Sequence, residues 1–184
     1  SGSLTKLGSG TLTLSAANSY SGGTTFGSTD DGGTIEVGDS SALGSGSVVF
    51  SKGGTLALGA DGLNVANSIY LYNWGGGIRT LRLDLSGTNT GELSGNQDNR
   101  VMTSKWIMAD VGADDTLTLS GTLSTGAGGG AGYTKIGDGT LVMSGNNTYL
   151  GTTTISNGIL KITSATALGN TSQGTVVEDG GTLE

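Results

Sequence analysis

The chain has 184 residues and a net charge of −7, with 37 glycines and no proline, cysteine or histidine. Without histidine and cysteine, Ser-His-Asp and Cys-His catalysis and the usual zinc sites are excluded, and we expect no cofactor and no bound metal. The acidic balance disfavours nucleic acid, which binds clustered basic surfaces, and no run reaches the roughly 18 apolar residues that cross a bilayer, so we expect no membrane insertion by this chain.

The chain opens on short alternating runs within Leu4–Thr25, followed by Thr34–Val37. Each run has about four to six residues, alternates apolar residues with Thr, Ser or Gly, and is bounded by Gly, Asn or Asp, which is typical of strands joined by tight turns. No apolar pattern of helical period extends over a useful length. The chain is therefore predicted to be all-β, with little or no helix.

The middle of the chain, about 57–132, has the same texture in a more divergent form. Its alternating runs Ser68–Tyr72, Thr80–Leu85 and Asp115–Leu119 predict further strands.

The opening motif returns near the other end of the chain. Segments 4–26 and 133–155 align without a gap and are identical at 12 of 23 positions. The copies continue in parallel, because Ala42-Leu43-Gly44 is repeated as Ala167-Leu168-Gly169. We therefore predict one continuous segment over 1–184, with repeat copies at about 4–56 and 133–183 and a divergent middle at 57–132.

The motif carries one asparagine at the same position in both copies, as Asn18 and Asn147. An asparagine in a turn often bonds the neighbouring backbone through its side chain. We therefore predict a structural role for both residues.

A solenoid explains this repetition better than a sandwich or barrel, because stacked coils place like residues in ladders about 4.8 Å apart. At roughly 20–25 residues per coil, the chain would make about eight coils of a parallel β-helix. The predicted inward positions share an apolar side chain in an alternating run. They are Leu4, Leu12, Leu14, Ile35, Val37, Leu56, Leu58, Leu117, Leu119, Leu141, Met143 and Leu160. A shift of one residue would turn each of these side chains outward.

The motif Leu-Thr-Lys-x-Gly-x-Gly-Thr-Leu-x-Leu-Ser-x-x-Asn-x-Tyr-x-Gly-x-Thr-Thr stands at Leu4–Thr25 and, with changes, at Tyr133–Thr154. It resembles the passenger-associated transport repeat, also called the autotransporter-associated β-strand repeat. The resemblance implies a right-handed β-helical passenger segment, exported and exposed at the bacterial cell surface. It also implies a scaffold role without catalytic residues, so none is assigned here.

The leading hypothesis is a structural or adhesive extracellular scaffold that is not an enzyme. The alternative is a carbohydrate-binding surface module built on Tyr70, Tyr72 and Trp74. Because these residues alternate in sequence, they would share one face of a strand. There they can stack on surface glycans or cover a lateral core under the following loop. A polysaccharide-degrading enzyme is a third hypothesis. Its candidate acids are Asp84, Glu92, Asp98, Asp110, Asp114 and Asp115.

Two further expectations concern ions and self-association. Asp30-Asp31 and Asp114-Asp115 lie in glycine-rich turns, where oxygen ligands suit calcium, but the turn acids are better explained as structural. Neither end of the sequence has the pattern of a capping coil, so we expect either continuation in a longer chain or end-to-end stacking into fibres.

Overall fold

The computed structural model describes residues 1–27, 32–72, 78–100, 107–126, 130, 132–170 and 173–184. Over these residues the chain is all-β, with eighteen strands and no helix, so no described helix is long and apolar enough to span a bilayer. The strands are β1 (Leu4–Lys6), β2 (Thr11–Leu14), β3 (Thr24–Phe26), β4 (Thr34–Val37), β5 (Val48–Phe50), β6 (Gly54–Leu58), β7 (Leu63–Val65), β8 (Ile69–Tyr72), β9 (Arg79–Leu83), β10 (Thr90–Leu93), β11 (Gln97–Arg100), β12 (Ile107–Val111), β13 (Thr116–Leu119), β14 (Leu123–Thr125), β15 (Tyr133–Ile136), β16 (Thr140–Met143), β17 (Thr153–Ile162) and β18 (Thr175–Leu183).

The strands form three parallel stacks. Stack A has the order β1-β3-β5-β8-β11-β14, stack B has the order β2-β4-β6-β9-β12-β15, and stack C has the order β7-β10-β13-β16. The long strand β17 joins stacks B and C, because its first residues pair with β15 and its last residues pair with β16. The chain runs from stack A to stack B in its first two coils and from A to B to C between β5 and β16, which is the parallel β-solenoid predicted from the sequence.

The coils of this solenoid differ in length. In stack A, Leu4 pairs with Thr24 of the next coil, and Ile69 pairs with Gln97 of the next coil. More residues separate Ile69 from Gln97 along the chain than separate Leu4 from Thr24. The solenoid therefore has about seven turns where roughly eight were predicted. The right-handed sense of the coil stays a prediction.

The core fills the space between the stacks. The predicted inward parity is correct, since nine of the twelve predicted positions are buried. Leu4, Leu12 and Leu14 are only half-buried, because they lie in the first coil, against which a single neighbouring coil packs within this chain. Like residues also stack inside the core, where the rings of Phe26 and Phe50 lie 4.1 Å apart at an interplanar angle of 10°.

The two copies of the sequence motif occupy different sides of the solenoid. Strand β1 of the first copy lies in stack A, whereas the equivalent strand β15 lies in stack B. Their local pairing is the same, because Leu4 pairs with Thr24 and Tyr133 pairs with Thr153. Equivalent strands of the two copies are therefore separated by five full coils and by a further step from one stack to the next. As a result, equivalent residues of the two copies face different directions.

Candidate functional site

The two described aromatic candidates lie on the outer face of stack A. In strand β8 the side chains of Ile69 and Leu71 are buried, while Tyr70 and Tyr72 alternate with them and are partly exposed. Trp74, the third predicted residue, lies outside the described residues. The two tyrosine rings have centroids 6.4 Å apart and an interplanar angle of 25°.

The next coil adds an arginine to these rings. Strand β11 pairs with β8 so that Asp98 lies beside Tyr70 and Arg100 beside Tyr72. The guanidinium carbon of Arg100 lies 5.4 Å from each ring centroid, and its Nη1 donates a 3.4 Å hydrogen bond to the Tyr72 hydroxyl. The sequence alone gave Arg100 no role in this site, because only the register between coils brings it beside Tyr72.

Asp98 holds the arginine in place. Arg100 Nε donates a 2.7 Å hydrogen bond to Asp98 Oδ2, and this bond raises the pKa of Arg100. Asp98 was a candidate catalytic acid, and the structure makes it the partner of Arg100. We name Tyr70, Tyr72, Asp98 and Arg100 the tyrosine–arginine patch.

The other candidate acids are distributed over stacks B and C, with structural partners. Asp84 pairs with Arg82, whose pKa is raised chiefly by the hydrogen bond it donates to Asp84, and Asp110 lies 3.8 Å from Arg82 Nε. Glu92 in stack C accepts hydrogen bonds from Ser120 and from Asn64 Nδ2, the latter at 3.1 Å. Each carboxylate is thus engaged by a neighbouring side chain.

The turn acids at Asp114 and Asp115 have distinct structural roles. Asp114 adopts a positive φ of 66°, and it is the only non-glycine residue in the described part of the chain to do so. Asp115 is buried and accepts hydrogen bonds from the backbone N–H of Leu85 at 2.9 Å and of Asn89 at 3.0 Å. Asp30 and Asp31 lie outside the described residues, and no group of three or more acids among the described ones could hold a metal ion.

The lysine of the repeat motif closes a turn inside the scaffold. Lys6 Nζ donates to the carbonyls of Leu7 and Gly8 at 3.0 and 2.6 Å. Lys135 Nζ donates to Ile136 and Gly137, both at 2.7 Å, and to Asn157 at 3.2 Å. Burial lowers the pKa of Lys135 to about 8. The sequence alone left this lysine without a role, although its identical place in both copies was a signal for one.

The asparagine of the motif has the predicted structural role, and the structure shows that it joins neighbouring coils. Asn18 Nδ2 donates to the Ala42 carbonyl at 2.8 Å, and Asn147 Nδ2 donates to the Ala167 carbonyl at 2.6 Å. Asn147 Oδ1 also accepts from the Leu123 N–H at 2.9 Å. The motif side chains thus fasten one coil to the next.

The geometry defines the class of protein as a parallel β-solenoid whose repeat residues bond coil to coil. A model of the Passenger-associated-transport-repeat matches residues 4–28 and 134–162. The adhesin BmaC autotransporter of Brucella suis biovar 1 (strain 1330) is 36% identical over 151 residues, which are 82% of this chain and 4% of that protein. No solved structure is a significant match. The chain belongs to the passenger-associated transport repeat family of autotransporter passengers.

Proposed function

We propose that this chain is a non-catalytic structural or adhesive segment of a bacterial passenger protein, displayed at the cell surface or secreted. The family repeat and the similarity to an autotransporter adhesin support this proposal. The chain spans 4% of the length of that relative, so the proposal concerns the segment and its contribution to a larger surface molecule.

One observation carries the proposal: the polar residues of the repeat are used to build the scaffold. Lys135 bonds three carbonyls, and Asn147 joins the coils on both of its sides. Buried polar groups with satisfied hydrogen bonds favour a single rigid arrangement. A stiff rod is what a surface spacer or adhesin stalk requires.

The arrangement of the acids favours this function over polysaccharide cleavage. Glycoside hydrolysis needs two carboxylates facing each other across the substrate. Here Asp98 is paired with Arg100, Asp84 and Asp110 are both held by Arg82, which lies between their charges, and Glu92 lies on a different stack. We expect no release of reducing sugars from neutral or acidic polysaccharides, and a release that Glu92→Gln abolishes would make the enzyme hypothesis the better one.

Surface display can be tested on intact cells that produce the parent protein. An antibody raised against this chain should label unpermeabilised cells, and externally added protease should remove the label. A periplasmic protein serves as the control for intact envelopes. Label that appears only after permeabilisation would contradict the proposal.

Adhesion can be tested with the purified chain. Beads coated with it should adhere to epithelial cells more than beads coated with albumin, if the segment is adhesive. Equal adhesion would assign the segment the structural role. End-to-end stacking into fibres, contact with surface glycans, and the lack of nucleic-acid binding and membrane insertion stay predictions.

A further inference from the structure

We propose that the tyrosine–arginine patch is a binding subsite for a neutral hexopyranose glycan. This inference rests on the proposed function, because it names a ligand class for an adhesive surface. The sequence predicted tyrosines on one face of a strand, and the structure adds the acidic Asp98 and the basic Arg100 from the neighbouring coil.

The tyrosine rings supply an apolar stacking surface. Tyr70 and Tyr72 stand on the outside of strand β8, partly exposed, with their rings inclined by only 25°. One face of a hexopyranose presents mainly C–H groups, which pack favourably on an aromatic face. Because Arg100 lies over both rings, the sugar units of an oligosaccharide would stack on the ring faces that the guanidinium does not cover.

The charged pair supplies polar contacts next to the rings. The side chain of Arg100 is 47% exposed and that of Asp98 is 24% exposed. Sugar hydroxyls both donate and accept hydrogen bonds, so a partly exposed acceptor beside an exposed donor matches them. The ion pair and the contact with both rings hold the guanidinium in place before a ligand arrives, which lowers the ordering cost of binding.

Charge favours a neutral ligand over an acidic one. Asp98 compensates Arg100 at a distance of 2.7 Å, and the whole chain carries a net charge of −7. The negative charge of the chain would repel a polyanionic glycan. The patch also offers no positively charged side chain that is not already paired with an acid.

The residues next to the patch along the solenoid axis have small side chains. Val49 lies beside Tyr70 on one side, and Ser124 lies beside Asp98 on the other. Gly126 lets the Arg100 side chain pack closely against it, since a Cβ there would lie 3.2 Å from Arg100 Cγ. On these two sides the described neighbours of the patch therefore have small side chains, along which an extended oligosaccharide can lie.

The test uses the purified chain on an array of glucose-, galactose- and N-acetylglucosamine-based neutral oligosaccharides together with sialylated and uronic-acid glycans. The best neutral oligosaccharide is then titrated calorimetrically. Tyr70→Ala and Tyr72→Ala should each weaken binding about two- to tenfold, the value of one aromatic contact. The matching Phe variants keep the rings and should bind within about twofold of the parent chain.

Thr25→Ala is the matched control, because Thr25 is a partly exposed position of stack A outside the patch. Far-UV circular dichroism and the thermal midpoint show whether each variant keeps the fold. The absence of neutral-glycan binding would overturn the proposal, as would binding of acidic glycans alone that depends on Arg100 and not on the tyrosines. Surface labelling of cells that carry the Tyr70→Ala/Tyr72→Ala variant separates this outcome from failure of the proposed function, since display does not require the rings.

Discussion

At the residue scale, the motif asparagine shows how a polar side chain stabilises a solenoid. Asn147 is buried, and it satisfies the Leu123 N–H on one side and the Ala167 carbonyl on the other. A buried backbone group that loses its hydrogen-bond partner costs about 1–3 kcal/mol. Asn147 therefore fastens three successive coils with one amide group.

We expect Asn147→Ala to lower the free energy of unfolding by about 2–4 kcal/mol, since two buried backbone groups lose their partners. Urea denaturation followed by circular dichroism measures the change. Asn146→Ala is the matched control, because Asn146 is exposed and its Oδ1 accepts hydrogen bonds from the surface hydroxyls of Ser164 and Thr166. Equal effects of the two variants would contradict the bridging role.

The buried lysine gives a prediction for pH. The pKa of Lys135 is about 8 in the folded chain, below its ordinary value of 10.5, because burial disfavours the charged form. At pH values between these two pKa values, Lys135 binds more protons in the unfolded chain than in the folded chain. The free energy of unfolding that Lys135 contributes therefore rises with pH. Burial raises the pKa values of Tyr133 and Tyr149, so these tyrosines make stability fall only above about pH 10, their ordinary value.

We therefore expect the stability of the parent chain relative to Lys135→Met to increase between pH 8 and pH 10. Urea midpoints at pH 7, 8, 9 and 10 measure the difference. Lys161→Met removes the same charge from an exposed position of β17 and is the matched control. A difference that is constant over this range would contradict the lowered pKa.

At the element scale, the turns decide how closely the coils approach each other. Gly158 lies inside β17 at a φ of +68°, and a Cβ there would lie 2.5 Å from the carbonyl oxygens of both Gly137 and Gly139. The backbone conformation and the contact with the preceding coil therefore both require glycine.

Gly158→Ala should destabilise the chain more than Gly62→Ala. Gly62 has a similar φ of +70° but no atom within 4 Å of its Cβ position, so its substitution measures the backbone cost alone, about 1 kcal/mol. The extra loss at Gly158 reports the clash between coils. Urea denaturation of both variants measures it, and equal losses would show that the neighbouring coil yields.

The sequence predicts the elements well where alternation is regular. The run Thr34–Val37 is β4 without change, and Thr80–Leu85 becomes β9 with bounds shifted by one and two residues. The tyrosines of β8 could be placed on one face because strands alternate strictly. Their partners Asp98 and Arg100 could not be found, since the coils differ in length and register is a tertiary property.

At the scale of the whole molecule, the repeat and the solenoid have different periods. Coil lengths vary because loops between strands vary, so two copies of one motif need not be separated by a whole number of coils. In this chain the copy at 133–136 lies in stack B, whereas the copy at 4–6 lies in stack A. The outer surface formed by one motif copy is therefore not continued on the same side of the solenoid by the other copy.

This change of side can be tested by cross-linking, because the chain has no native cysteine. Asp110 and Ile136 are direct neighbours in strands β12 and β15 of stack B. Parallel neighbours are about 4.8 Å apart, within the Cα separation that a disulfide spans. The Asp110→Cys/Ile136→Cys variant should therefore form an internal disulfide under mild oxidation, detected by its reducible shift in gel mobility and by mass spectrometry.

Ser124→Cys/Ile136→Cys is the matched control, because it joins β14 of stack A to β15 of stack B in the same coil. If β15 did not lie beside β12 in stack B, the Asp110 pair would not link. A disulfide in the Asp110 pair alone is the result that the change of side requires. It would also mean that the two motif copies of this chain offer their outer faces to different directions.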